Sequence, residues 1–484
     1  MTSLVSTTRA SSLVTGATFA LLLAASVAAQ SPAKPATAPA PGVVVPKQTI
    51  PLAGKPKDFH VPPRRTFSLS NGMSVTLVPY GLVPKAVVQL VVRTGIIDES
   101  AEETSISSVT TDMLLEGTIT KSPQDVARAA AAMGGSISAG AGYETAQIGG
   151  EILGEFTPQF VALLADVTRH PRFADADFKR IIDKQARDNA MSLAQPGVVA
   201  QVAFNQMEYG NHPFSRLYPS EQMLRGFTIA RSKDFYTKNF GAKRSHLYVS
   251  GVFDAAAVEK AVRTTFDDWQ SGEPATENPP VPAARRQVKL IDRAGAVQST
   301  MWMGVPAARV NDPDRMSMLV TNALIGGSFG SRIMSNIRED KGYAYSPYSQ
   351  LISTKGSALW VEVADVTTNV TGASITEIVK EVNRLRAEAP PTAELEGIKS
   401  QMVGNFTLRN SSRAGLVSQL QTIDLHQLPA DYLSTYVSRV MAVTPENVRA
   451  TAQKHLDPEK LSIVIVGDKK TVEPQLGLFR PIVP

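Results

Sequence analysis

The sequence predicts an α+β fold built twice: two duplicated α+β domains, each an antiparallel-rich sheet with helices packed on one face. Three observations lead there. Strand-like segments open the folded part of the chain and amphipathic helices follow, the order of a sheet layered with helices rather than of alternating βα units. A helix start, a strand and a glycine then recur. Thr228 leads to Leu247-Tyr248-Val249-Ser250-Gly251 and Thr444 leads to Ile463-Val464-Ile465-Val466-Gly467; each glycine lies 23 positions after its threonine, so a shift of 216 superposes them. Between the two copies, Ser271 to Arg286 (SGEPATENPPVPAARR) has the proline-rich composition of an interdomain linker.

Folding signals begin at Thr66. Phe67 to Ser70, Asn71-Gly72 and Met73 to Val78 predict a hairpin with a type I′ turn, because Asn-Gly tolerates the positive φ angles that turn needs. Ala86 to Val92 reads as a buried strand. Thr104 to Leu115 reads as a helix with Ile106, Val109 and Met113 on one face. Ser122-Pro123 supplies a cap and an N1 proline for a second helix that stops at Gly134-Gly135. Strands fit Ser136–Ala141 and Thr145–Ile152. Thr157-Pro158 opens an amphipathic helix carrying Phe160, Leu163, Leu164 and Val167, and a long helix runs from Asp175 to about Leu193, broken by Pro196.

The chain has 484 residues, 43% hydrophobic and 19% charged, which is globular composition with room for more than one core. A formal charge of +5 with no basic run among aromatics argues against nucleic-acid binding. Cysteine is absent, which removes disulfides, thiol nucleophiles and Cys-ligated zinc. Residues 1–57 hold no Asp or Glu, and Arg9 precedes an apolar stretch, Leu13 to Ala29, that ends in small residues. This is the pattern of a signal peptide over residues 1–29, cut after Ala28 or Ala29, with a mitochondrial transit peptide as the alternative. No second long apolar run follows, so the mature chain is expected to have no membrane span. The expected organisation is leader 1–29, Ala/Pro-rich linker 30–65, first domain 66–270, linker 271–286 and second domain 287–484. The expected destination is the bacterial periplasm, or the mitochondrion on the alternative.

Chemistry is sparse. The six histidines (His60, His170, His212, His246, His426, His455) include no pair within one helical turn, so no local His-x-x-x-His metal pair forms. There is no Walker loop and no Gly-x-Gly-x-x-Gly, and Gly326-Gly327-Ser328-Phe329-Gly330 reads as a turn. What stands out is Ile325 to Ser349, IGGSFGSRIMSNIREDKGYAYSPYS. Gly326 and Gly327 invite φ > 0, Ser328 invites an N-cap, and Ile333, Met334 and Ile337 give a helix one buried side. Gly342 fits the residue after the helix, and Tyr343 to Ser346 reads as the start of a strand. That corner brings together the Arg338 guanidinium and the Tyr345 hydroxyl, two donors suited to a carbonyl oxygen gaining negative charge.

This stretch resembles the second-domain signature of the insulinase/pitrilysin metallopeptidases, the inverzincins. The resemblance extends through Arg93-Thr94-Gly95-Ile96-Ile97-Asp98-Glu99, Met113-Leu114-Leu115-Glu116-Gly117-Thr118, Gly134-Gly135-Ser136-Ile137-Ser138-Ala139 and Tyr209-Gly210-Asn211-His212-Pro213-Phe214, covering about Thr66 to Val472. It implies repeated α+β domains forming half of a clamshell chamber, and zinc-dependent cleavage of extended peptides. The family's His-x-x-Glu-His falls on Ser108-Val109-Thr110-Thr111-Asp112, so Ser108 and Asp112 replace both histidines and Thr111 replaces the general-base glutamate. The distal glutamate falls near Asp188. Two acids and a hydroxyl on separate helices do not make the three-ligand site that activates water, and a neutral threonine is no base near pH 7.

Arg338 and Tyr345, by contrast, match the family's substrate- and oxyanion-binding pair. In two-subunit members one chain carries His-x-x-Glu-His and the other the Arg/Tyr pair. The resemblance therefore implies a metal-free subunit of a heterodimeric peptidase, with no independent activity, no cofactor of its own and zinc in a His-x-x-Glu-His partner. A non-enzymatic scaffold or peptide-binding subunit of the same fold is the alternative, and a metallopeptidase with a rearranged site is a third possibility.

Overall fold

The structure, a computed structural model, describes Gly54, residues 59–275, residues 277–479 and residues 482–483. The leader expected over 1–29 and most of the segment expected over 30–65 lie outside the described residues.

The first half builds β1 (Arg65–Ser68), β2 (Ser74–Pro79), β3 (Lys85–Val92), β4 (Ser138–Ala141), β5 (Ala146–Leu153) and β6 (Ser245–Gly251). They form one six-stranded sheet in the order β1-β2-β6-β3-β5-β4. Only β2–β6 runs parallel. The second half repeats the plan with β7 (Gln287–Asp292), β8 (Gln298–Pro306), β9 (Tyr348–Thr354), β10 (Ser357–Thr367), β11 (Ser462–Gly467) and β12 (Ile482–Val483), ordered β12-β7-β11-β8-β10-β9. β3, β8 and β11 are buried along nearly their whole length because both of their faces are covered.

The expected hairpin forms, but its turn differs. Only Gly72 has positive φ (96°), whereas a type I′ turn needs two such residues. Gly72 N–H instead donates to Leu69 O (3.1 Å) and Leu69 N–H to Met73 O (2.8 Å), a three-residue loop closed by a left-handed glycine. Asn71 is held by tertiary bonds: its amide donates to Phe266 O (2.7 Å) and Trp269 O (3.0 Å).

The longer helices are α1 (Ile106–Met113), α2 (Pro123–Ala132), α3 (Thr157–Arg169), α4 (Asp175–Leu193), α5 (Pro196–Tyr209), α6 (Ile229–Asn239), α7 (Ala255–Phe266), α8 (Arg315–Ile325), α9 (Thr371–Ala387), α10 (Thr392–Asn410), α11 (Arg413–His426) and α12 (Pro445–His455). α2 starts where the sequence places it, with Ser122 and Asp125 exchanging capping bonds and Pro123 in the first turn. Pro196 ends α4 as expected and also opens α5, since proline has no N–H to lose at a first turn. The repeat extends well beyond the two strands that reveal it: α4 to α10 and α5 to α11 are both steps of 217 residues, and α6 to α12 is a step of 216.

Each sheet carries its own half's helices on one face and receives one helix from the other half on its second face. α5 lies on β8 and β11, where Phe204 meets Trp302 with ring centres 5.8 Å apart. Gly304 on β8 leaves room for it, since a Cβ there would come within 2.6 Å of the Phe204 ring. In return α11 lies on β3 and β6, and Val87, Val91 and Tyr248 of the first sheet join the second half's core. Tyr80 Oη donates to Asn410 O (3.0 Å), and the Glu144 carboxylate accepts from Lys355 N–H (2.9 Å).

The exchange also buries Glu208. Both of its carboxylate oxygens lack a hydrogen-bond partner, and burial pushes its pKa to about 7. Folding therefore favours the protonated form. That contribution is complete below the ordinary value of 4.5 and is lost as pH rises through about 7. Glu208→Gln should raise Tm at pH 8 and leave it unchanged at pH 4, which calorimetry at the two pH values checks.

Candidate functional site

The Ile325–Ser349 stretch folds into a tighter and stranger corner than its sequence predicts. α8 leads into it, and Gly326 sits at its end with φ −154°, not left-handed; Gly327 also lacks positive φ. Gly326 is nonetheless obligatory, because a Cβ there would fall 2.6 Å from both the Glu362 carboxylate and the Ser349 hydroxyl. The Ser328 hydroxyl has no partner; the residue whose hydroxyl accepts from the helix is Ser331, from Met334 N–H at 3.4 Å.

From Met334 to Asp340 the helix is π-wound, and Lys341 N–H reaches Asn336 O at 3.0 Å. Asn336 is drawn inward there, its amide donating to Glu377 (2.9 Å) and Glu381 (2.8 Å) of α9. Gly342 then takes φ 65° as expected, and Tyr343 N–H closes on Ile337 O at 2.8 Å. The strand expected from Tyr343 begins later, at Tyr348; before it only Ala344 bridges, to Val366.

The two sequence-selected donors meet at this corner. The Arg338 guanidinium carbon lies 5.0 Å from the Tyr345 ring centre and 4.9 Å from that of Phe329. Tyr345 is 78% exposed and Phe329 67%, whereas the Arg338 side chain is only 26% exposed between them. Arg338 Nε also pairs with Glu339 (3.1 Å). A guanidinium flanked by two aromatic rings is a pre-oriented fork of donors, with less side-chain freedom to lose when it engages a carbonyl. Sequence reasoning missed Phe329 and the π-turn.

The zinc-motif positions lie on α1, which is positioned by the Arg93–Glu99 segment. Glu99 accepts from Ser105 N–H (2.8 Å) and Ser107 N–H (3.1 Å) at the start of α1, and Asp98 pairs with buried Arg244 (3.2 Å). Ser108 is half-buried. Thr111 is buried with its hydroxyl on Ser107 O (2.8 Å). Asp112 accepts from Gln185 of α4 (3.2 Å), and burial raises its pKa against that bond. Asp188, on the same helix, is held by Lys184 (2.8 Å). The structure thus brings Asp112 to α4, but through Gln185, a residue the sequence reading passed over. One buried carboxyl held by Gln185, one internally bonded hydroxyl and an ion-paired aspartate are not a zinc ligand set. Among the described residues no group of three or more His, Cys, Asp or Glu could hold a metal ion.

Two family models match the chain side by side. Residues 81–214 match the insulinase family (peptidase family M16), and residues 226–402 match the peptidase M16 inactive domain. The chain belongs to the insulinase family. Its relatives include the uncharacterized zinc protease YmxG of Bacillus subtilis, 24% identical over 395 residues (81% of this chain, 95% of that protein). An uncharacterized zinc protease of Mycobacterium tuberculosis is 25% identical over 431 residues (86% and 96%). Two solved structures share the fold. One is a peptidase M16 inactive domain from Pseudomonas fluorescens (TM-score 0.77, 22% identity, 84% of this chain and 98% of that one). The other is a protease from Helicobacter pylori (TM-score 0.79, 15% identity, 84% and 100%). The duplicated α+β fold is the insulinase-family fold, and this member lacks the family's His-x-x-Glu-His.

Proposed function

We propose that this chain is the metal-free subunit of a heterodimeric insulinase-family peptidase, supplying Arg338 and Tyr345 to a zinc-bearing partner. The observation that carries the proposal is the contrast between its two halves. At the zinc-motif positions Thr111, Asp112 and Asp188 are each engaged by their own neighbours, while at the Arg338 corner two exposed rings hold a guanidinium at the surface. The metal that activates water belongs to the partner. Here the guanidinium N–H groups and the Tyr345 hydroxyl donate to the peptide's carbonyl oxygens, and most strongly to the oxygen that becomes anionic as the tetrahedral intermediate forms. The substrate is an extended peptide, and the destination we propose is the periplasm. Among the described residues no helix is long and apolar enough to cross a membrane.

Affinity purification of the tagged chain from its native host should bring down a His-x-x-Glu-His relative that carries the zinc. In that complex Tyr345→Phe, which removes one hydroxyl and keeps the ring beside Arg338, should lower kcat about 10²-fold while the pair still assembles. A complex whose turnover ignores the Tyr345 change would leave the scaffold role as the standing explanation.

A further inference from the structure

The duplication gives the second half its own counterpart of the degenerate zinc site, and that counterpart carries the opposite charge. Aligning Asp112 with Asn322 places Leu114-Leu115-Glu116-Gly117-Thr118 on Leu324-Ile325-Gly326-Gly327-Ser328. The 217-residue step from α4 to α10 places Gln185 on Met402 and Asp188 on Asn405. α8 packs on α10 as α1 packs on α4. At this place a cavity of about 460 Å³ opens among α8, α10, α11 and β9, lined by Asn322, Met402 and Asn405. The first-half position gathers Asp112, Glu116 and Asp188, the last two felt electrostatically at Asp112 beside the opposing charge of Lys184. The second-half cavity is lined by Arg315 and Arg409, and no Asp or Glu lines it.

Arg315 is 8% exposed, and burial pushes its pKa down. Its two terminal nitrogens donate to Ala308 O (3.1 Å) and Ser353 Oγ (3.0 Å), but Nε has no partner. Among the described residues neither Arg315 nor Arg409 makes an ion pair. A buried guanidinium hydrogen-bonded only to neutral oxygens, with its nearby carboxylate Asp312 already paired to Arg309, is the costly half of a salt bridge, and the group that completes it is an anion with in-plane acceptors. The rest of the wall selects the anion's body. Leu319, Phe406, Tyr432 and Tyr436 provide an apolar, aromatic surface with hydroxyls at hand, which suits an organic acid better than a hydrated inorganic ion.

We propose that this cavity binds a small organic carboxylate with an apolar or aromatic body, the carboxylate pairing with Arg315 and Arg409. The carboxylate is either the C-terminus of a short peptide or a free carboxylic acid. This site is separate from the Arg338 corner and stands whether or not that corner serves a peptidase.

Isothermal titration of the purified chain tests it with three probes: N-acetyl-L-phenylalanine, its carboxamide, and 3-phenylpropionate. The expected result is that N-acetyl-L-phenylalanine binds at least about tenfold more tightly than the carboxamide, and that Arg409→Gln removes most of this preference. Arg409 is exposed, so that variant should fold even if Arg315→Gln does not. Binding of 3-phenylpropionate as well assigns the site to free carboxylic acids; its failure beside a binding N-acetyl-L-phenylalanine assigns it to peptide C-termini. Equal affinity for acid and amide, no binding of either acid at about 10 mM, or an Arg409→Gln protein that binds the acids as the unmodified chain does would each overturn the proposal.

Discussion

Replacing Arg338 by alanine should lower kcat of the proposed heterodimer about 10²–10³-fold, a loss of about 2.7–4 kcal/mol of transition-state stabilisation. The size follows from what the residue offers. Its guanidinium is flanked by Phe329 and Tyr345, so its donors are aimed before substrate arrives and little reorganisation is needed as charge develops. KM should move less than kcat, because the bond matters most when the carbonyl oxygen turns anionic. Arg338→Lys should recover only part of the rate: it restores the charge but not the planar fork that fits between two rings. Tm of the chain should stay within about 1 °C for the alanine variant, since Arg338 lies at a surface corner and its recorded ion pair is with the adjacent Glu339. Steady-state kinetics of the mixed subunits, with melting curves of each variant, measures all of this.

Phe204→Ala has the largest expected effect on stability, a loss of about 3–5 kcal/mol. Phe204 is fully buried on α5, a first-half helix, yet its ring lies against Trp302 and over Gly304 of the second sheet. Truncation leaves a cavity that Gly304 cannot fill, and it loosens the helix that ties the halves together. Urea unfolding should therefore show a lower midpoint. If the halves also lose cooperativity, the single transition splits in two, the first-half and second-half cores unfolding separately. Phe160→Ala, inside the first half's own core, should lower the midpoint without splitting it.

Much of this architecture is written in local signals. Ser122-Pro123 caps a helix wherever the chain goes, Asp175 to Leu193 carries its own period, and the Thr228/Thr444 spacing announces the duplication. The helix exchange is not written locally. The apolar side of α5 says that something covers it, but not that the cover is the other half's sheet, because periodicity specifies a buried face and not its partner. The hairpin was legible while its turn was not, since Asn71 bonds to residues nearly 200 positions away. At the site, Arg338 and Tyr345 were legible from their spacing in a motif. The π-turn depends on Asn336 reaching Glu377 and Glu381, and the contribution of Phe329 depends on a loop folding back; neither leaves a pattern in neighbouring residues. Gln185 was passed over for a related reason, as a polar residue on a helix reads as solvated until the facing helix brings Asp112 to it.

The division of labour between the two subunits is tested most directly by zinc content and peptide cleavage measured for this chain alone, the His-x-x-Glu-His partner alone and the two combined. A metal-free subunit should hold negligible zinc and cleave nothing alone, while the mixture should hold one zinc per heterodimer and turn over far faster than the partner by itself. Stoichiometric zinc or cleavage by this chain alone, or a mixture no faster than the partner, would contradict that division.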